Sequence, residues 1–384
     1  MTAPRVFFYV QHLLGIGHLK RAAAIARALV EAGASVDFVL GGAPVASIAP
    51  PGARVVQLPP AIASDAQFTN LLDEHGNKVD ERWKVKRKQA LLDAFEAAKP
   101  DIVLLEMYPF GRRQFRFELL PLLDLAAAPF PKPVVAVSVR DILVDKGRMD
   151  RAREAVDIIN RHVDHVLVHG DPRLTRLDLT FPLAADIAHK LSYTGFVVER
   201  PAAADPLVDR DDGEILVSAG GGAVGFPLLA AAIRAKKLTR QRHRRWRIVT
   251  GANLPAAQRT ELDKLAAGDP DIAIEGFRPD FARLLATCNL SISQGGYNTV
   301  MELIATRCPS VIVPFAEGGE SEQTLRARML AERAVLSMVD PEFLTAGTLA
   351  AAVDGVRPPA ELALNLDGAR QSAAQLIDAW KQRR

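Results

Sequence analysis

Ser293-Gln294-Gly295-Gly296-Tyr297-Asn298-Thr299 is the stretch on which the fold of this 384-residue chain turns. A short apolar run, Leu290–Ser293, leads into it, and helical spacing over Val300–Thr306 leads out toward a second apolar run, Val311–Pro314. A strand, a glycine turn, a helix and a further strand form the repeating unit of a doubly wound parallel sheet. Paired glycines let a backbone approach a ligand closely, and the free N–H groups of a helix start attract phosphate oxygens. The plainer alternative is ordinary turn chemistry, with Thr299 and Glu302 spaced as a capping box.

Two more turns of this kind lie outward from it. Gly15-Ile16-Gly17-His18-Leu19-Lys20-Arg21 follows the run Val6–Val10 and opens a helix, Leu19–Glu31, with Leu19, Ala22, Ala26 and Leu29 on one stripe. Ala219-Gly220-Gly221-Gly222-Ala223-Val224-Gly225 follows Ile215–Ser218 and contains a literal G-x-G-x-x-G. The following strand ends at Thr250-Gly251, with no acid where a ribose-binding carboxylate belongs, so nicotinamide dinucleotide binding is weakened. Three such turns at carboxyl ends of strands point to a phosphate-bearing ligand.

The same alternation fills the chain. Val36–Leu40, Arg54–Leu58, Ile102–Glu106, Val134–Val139, His165–His169 and Tyr193–Val197 read as strands in the first half, and Arg247–Thr250, Ile272–Glu275 and Leu336–Val339 in the second. These runs are short and apolar on both faces, as expected of a sheet covered by helices on each side. The polar, Pro/Ala-rich stretch 200–213 reads as a linker. The expected architecture is α/β: Rossmann-like domains at 1–199 and 214–365 facing across a cleft, with a helix at 366–384 crossing back to the first.

With 49% apolar and 24% charged residues, the composition is globular. No 18-residue apolar stretch predicts a membrane span, and Gln11-His12 after the first strand argues against a signal peptide. Two cysteines, Cys288 and Cys308, cannot staple a chain of this length, so a reducing, cytoplasmic location is expected. His162, His165 and His169 lack an accompanying carboxylate or thiol motif, and neither a metal nor a cofactor is expected. Net charge is +3, but Arg234–Arg247 carries eight basic residues and no acid. That local run reads as a solvated surface, and no nucleic-acid partner is expected. Arg82, Trp83, Lys84, Lys86, Arg87 and Lys88 mix positive charge with an aromatic ring. The mixture suits peripheral contact with an anionic membrane, or else the outer face of an amphipathic helix over Val79–Ala98.

Ser293–Phe315, with Glu322-Gln323 beyond it, resembles the carboxyl-terminal half of the MurG-like glycosyltransferases, family 28 enzymes of the GT-B fold. Gly15-Ile16-Gly17-His18 is similar to their first glycine loop. The resemblance implies a nucleotide-sugar donor, usually UDP-linked, on the carboxyl-terminal domain and an acceptor on the amino-terminal one. It implies that Gly220, Gly221, Gly222, Gly295, Gly296, Asn298 and Thr299 surround the diphosphate. Glu302 would take the ribose, Phe277 the base, and Glu322 and Gln323 the sugar hydroxyls. Gly15 and Gly17 would lie on the acceptor side. Glu322-Gln323 stands where the best-known members carry Gln-Gln, and no acceptor-side signature matches beyond the glycine loop.

The implied chemistry is hexosyl or N-acetylhexosaminyl transfer to a hydroxyl acceptor, with inversion and without an essential metal. The acceptor is unknown, and a lipid-linked one would place the protein at the inner face of the membrane. His18, at the cleft end of the first strand, is the first candidate for the base, with Glu106 and Asp141 in reserve. Arg112, Arg113 and Arg140 are candidates for an anionic acceptor. A nucleotide-sugar hydrolase or 2-epimerase of the same fold is the nearest alternative. A non-catalytic donor-binding subunit is the third, ranked below because both halves stand in one chain.

Overall fold

A computed structural model describes residues 3–13, 17–45, 48–63, 70–128, 131–143, 148–198, 210–220, 224–251, 254–316 and 321–384. The chain divides into two units, Met1–Val197 with Leu364–Arg384, and Val198–Ala363.

In the first unit β1 (Arg5–Val10), α1 (Gly17–Glu31), β2 (Ser35–Leu40) and β3 (Arg54–Gln57) come first. A small antiparallel pair follows, β4 (Ile62–Ala63) with β5 (Leu71–Leu72), which the strand pattern did not announce. Then come α2 (Glu81–Ala98), β6 (Ile102–Glu106), α3 (Arg116–Ala126), β7 (Val134–Arg140), α4 (Met149–His162), β8 (His165–His169) and β9 (Leu191–Tyr193). The parallel sheet runs in the order β3-β2-β1-β6-β7-β8-β9. The last strand stops at Tyr193, four residues short of the expected Val197. Gly195 has a positive φ of 87°, and Phe196 N–H is drawn instead to the carbonyl of Asn365.

Strand alternation explains why both faces are apolar. On β1, Phe7 and Tyr9 enter a core with Leu91, Phe95 and Leu119. Val6, Phe8 and Val10 enter the opposite one with Leu19, Ile25 and Leu29.

The second unit contains β10 (Ile215–Ser218), α5 (Phe226–Lys236), β11 (Trp246–Val249), α6 (Ala256–Ala266), β12 (Ile272–Glu275) and α7 (Phe281–Thr287). β13 (Leu290–Ser293), α8 (Tyr297–Thr306), β14 (Ser310–Ile312), α9 (Glu322–Ala331), β15 (Ser337–Met338) and α10 (Ala346–Gly355) complete it. Its parallel sheet is ordered β12-β11-β10-β13-β14-β15. In both sheets the strand order reverses beside the first strand, the point where open α/β sheets bind ligands. The final helix, α11 (Gly368–Arg383), packs on α1 and adds Ala373, Leu376 and Trp380 to the first unit's core. No helix among the described residues is long and apolar enough to cross a membrane.

Candidate active site

In the second unit the key turn takes a different form from the capping box. α8 begins at Tyr297 with Gly296 as its cap, and the first helical bond runs from Val300 N–H to the Gly296 carbonyl. Thr299 therefore sits inside the first turn and cannot cap, and Glu302 stands half-buried in the second. A glycine cap brings no side-chain oxygen to the amides of Tyr297, Asn298 and Thr299, the donors an anion at a helix start would use. Gly295 is buried; a Cβ there would stand 3.3 Å from the Cβ of Gln323 and from Cγ2 of Ile312.

The G-x-G-x-x-G turn is explained partly by packing. A Cβ on Gly225 would lie 1.9 Å from that of Ala219, so its last glycine is required for α5 to approach β10. Gly220 has a positive φ of 66°, while Gly221 and Gly222 lie outside the described residues, as does Gly15 in the first unit.

Both residues expected at the sugar hydroxyls have partners within the protein. Glu322 is buried and pairs with Arg326 at 2.8 Å, and Arg326 lies over the Tyr297 ring at 5.3 Å. The carboxylate thus braces α9 against α8 and does not stand exposed toward a sugar. The Gln323 side-chain oxygen accepts a hydrogen bond from Phe315 N–H at 3.0 Å, which fixes the chain after β14. Phe277, by contrast, is 51% exposed, beyond a Glu275 carboxylate held by Arg247 and Arg278.

In the first unit the structure brings His18, Glu106, Arg21 and Ser138 together. His18 lies on the first turn of α1, and Glu106 ends β6, the neighbour of β1. His18 Nδ1 is 3.1 Å from Glu106 Oε1, Arg21 forms an ion pair with the same oxygen, and Ser138 Oγ–H donates to Oε2 at 2.6 Å. Burial alone would raise the Glu106 carboxyl, but Arg21, His18 and Ser138 overcome it and hold its pKa at about 2. Glu106 is therefore a carboxylate at neutral pH and accepts in each of these contacts. Two groups meet at Nδ1: the ionised Glu106, which only accepts, and Arg21 Nη2, which only donates and stands 3.1 Å from it, while Nε2 is left to face outward from the pair.

Burial, then the nearby Arg112 and Arg21 guanidiniums, push the His18 pKa down to about 3 against the pull of Glu106. Arg112 is itself held to about 10 by burial, with Arg140 and Arg21 adding positive charge and Glu106 opposing; its Nε–H donates to the Gln11 carbonyl at 2.8 Å. Arg112 and Arg140 therefore share one electrostatic cluster with His18. Arg113 is placed differently, in an ion pair with Glu154. Asp141, at the end of β7, is 1% exposed.

Arg21, Ser138 and His169 escaped attention as site residues. Arg21 is three positions after His18, a spacing that shares a helix face, and this was the available signal. His169, read as one of three histidines that metal chemistry would need, instead binds Ser138 Oγ and Thr194 Oγ1 at 2.7 and 2.9 Å. His162 stands 3.7 Å from Asp124. Among the described residues no group of three or more His, Cys, Asp or Glu side chains is arranged to hold a metal.

The basic helix α2 also differs from expectation. Arg87 is fully buried: its guanidinium pairs with Glu118 at 2.8 Å, donates to the Gly41 and Pro59 carbonyls, and lies over the Trp83 and Phe115 rings. It cannot meet a headgroup. Arg82 and Lys86 remain exposed.

Two parallel sheets whose strand order reverses beside the first strand, with glycine turns at their carboxyl ends, place the chain in the GT-B fold class. Residues 216–379 match the glycosyltransferase family 28 C-terminal domain. Curated relatives include two proteins named UDP-N-acetylglucosamine--N-acetylmuramyl-(pentapeptide) pyrophosphoryl-undecaprenol N-acetylglucosamine transferase. The one from Chromohalobacter salexigens is 30% identical over 135 residues, covering 32% of this chain and 37% of the relative. The one from Rhodospirillum centenum is 34% identical over 134 residues, covering 33% and 34%. The matched stretches thus span little more than a third of those relatives' length. Among solved structures, the calicheamicin glycosyltransferase CalG4 shares the fold with a TM-score of 0.60 at 16% identity, covering all of this chain and 95% of its own. MurG of Acinetobacter baumannii gives 0.55 at 17% identity, covering 99% and 95%.

Proposed function

We propose that this protein is a glycosyltransferase that moves a hexosyl or N-acetylhexosaminyl group from a UDP-linked sugar to a hydroxyl acceptor with inversion and without an essential metal. The second unit holds the donor and the first supplies the base. The observation that carries the reading is the start of α8. A glycine cap puts no side chain between the start of α8 and a diphosphate, and Gly295 beside it is buried. The family 28 match covers this turn, and the relatives' printed names specify a UDP-N-acetylglucosamine donor.

In the proposed reaction the acceptor oxygen attacks the anomeric carbon as the bond from that carbon to the diphosphate oxygen breaks. His18 Nε2 takes the hydroxyl proton, and Glu106 stabilises the imidazolium through Nδ1–H. The α8 amides stabilise the charge that builds on the leaving UDP. Burial is the largest cause of the low His18 basicity; anionic substrate near Arg112 and Arg21 would offset the part those charges add. The relatives' names specify a pyrophosphoryl-undecaprenol acceptor, which supports a lipid-linked acceptor and a working place at the inner membrane face.

A thermal-shift panel of UDP-, GDP- and dTDP-sugars tests the donor. A UDP-sugar should raise the melting temperature in proportion to its occupancy. No shift with any of them sinks the reading. Rapid UDP release without an acceptor would assign the protein to hydrolysis or 2-epimerisation.

A further inference from the structure

Four buried side chains in the first unit form a single line of hydrogen bonds that ends on Glu106. Thr194 Oγ1 lies 2.9 Å from His169 Nδ1, His169 Nε2 2.7 Å from Ser138 Oγ, and Ser138 Oγ 2.6 Å from Glu106 Oε2. Glu106, Ser138, His169 and Thr194 are each 0% exposed. They stand at the carboxyl ends of β6, β7 and β8 and just beyond β9, four successive strands of the sheet. Glu106 and Ser138 are register partners, and His169 is the partner of Arg140.

The direction of every bond follows from its end. A carboxylate only accepts, so the single Ser138 hydroxyl proton is given to Glu106. Ser138 must then accept from His169, which places the imidazole proton on Nε2. His169 Nδ1 is left to accept the Thr194 hydroxyl proton at 2.9 Å, nearer than the Gly195 and Val168 carbonyls at 3.2 and 3.4 Å. Burial, with Arg21 adding to it, keeps His169 uncharged at neutral pH despite the pull of Glu106, so the three members before Glu106 carry no charge. The dipoles of Thr194, His169 and Ser138 point one way, toward the Glu106 carboxylate that holds His18.

We propose that Ser138 and His169 are positioning residues that set the orientation and proton affinity of Glu106, and through it the tautomer and basicity of His18. The inference rests on the proposal that His18 is the base. Neither residue touches the reacting atoms. A polar line of this kind would be a costly way to fill a sheet edge if packing were its purpose, because each member needs its partner to offset burial. Around His18 the charged groups are Arg21, Arg112 and Glu106, and around His169 they are Arg21 and Glu106. Withdrawing the Ser138 proton leaves the carboxylate less stabilised and more strongly attracted to an imidazolium, so His18 should protonate at higher pH.

Imidazole nitrogen-15 spectra of the full-length protein read this without any substrate. Expected at neutral pH are Nε2–H on His169 and Nδ1–H on His18. In Ser138→Ala the His169 tautomer should become mixed, and protonation of His18 should begin roughly half a pH unit or more higher. Ser138→Thr, which keeps the hydroxyl, should restore both. An Nδ1–H tautomer on His169 in the unaltered protein overturns the proposal, and so does a His18 titration that is the same in folded Ser138→Ala. The unaltered protein decides the tautomer even if Ser138→Ala fails to fold. Should His18→Ala keep full turnover while the spectra behave as expected, the assignment of the base fails and the hydrogen-bond line stands.

Discussion

His18 Nδ1 lies 3.1 Å from a Glu106 oxygen that Arg21 also holds, and Arg21 Nη2 stands 3.1 Å from the same nitrogen, so one side of the imidazole is committed within the protein. The helix start that carries the histidine and the strand end that carries the carboxylate are brought together by pairing of β1 with β6. His18→Ala should lower kcat by about 10²- to 10⁴-fold, the usual worth of a general base, while UDP binding stays unchanged. Single-turnover kinetics beside calorimetric titration with UDP check this. Equal losses in both would make His18 a binding residue.

The pH dependence of stability has a definite sign. His18 and His169 both have folded pKa values near 3, below the ordinary 6.5, so the unfolded chain binds protons first as pH falls. Their contribution is fully present above pH 6.5 and is lost on descent from there toward pH 3. Glu106, held near 2 against an ordinary 4.5, adds a loss in the same direction at lower pH. Denaturant midpoints should hold between pH 7.5 and 6.5 and fall from there to pH 4, and His169→Gln should flatten the fall.

Gly296→Asp separates stability from function. Nothing lies within 4 Å of a Cβ at Gly296, and its φ of −61° suits any residue. An aspartate cap should stabilise the start of α8 by about 0.5 kcal/mol and repel a diphosphate from it. The variant should melt slightly higher and lose the UDP-induced thermal shift.

Glu302→Ala should weaken UDP binding by about 1–3 kcal/mol if this half-buried carboxylate bonds the ribose. Calorimetric titration reads it. An unchanged Kd with a lower melting temperature would make Glu302 a helix residue only.

Arg87→Ala should cost about 3–5 kcal/mol of stability, because it strands the buried Glu118 carboxylate. Removing exposed Arg82 and Lys86 should leave stability unaltered and weaken binding to anionic lipid vesicles. Urea denaturation and vesicle sedimentation distinguish the two effects.

Much of the site was legible in part. The glycine turns were visible as turns, because their composition is local and unambiguous. What each glycine is for was not. Gly225 is there for helix packing, and its motif suggested a dinucleotide only until the missing acid was counted. Thr299 and Glu302 had the spacing of a capping box, yet the helix starts at Tyr297, because spacing fixes a pattern and not its origin. Glu322 and Arg87 were charged residues in polar runs, and nothing local distinguishes a buried pair from a solvated one.

The sequence alone determined two parallel sheets, their glycine turns and the strand ends at which chemistry belongs, since alternation and helical period are short-range signals that survive without partners. Only the tertiary structure decided which polar groups meet there. Glu106 is 88 positions from His18, and Ser138 lies 31 from His169. Strand order brings such distant residues within hydrogen-bonding reach. Burial then fixes which of them are ionised, because desolvation acts on a charge only after its neighbours have closed around it.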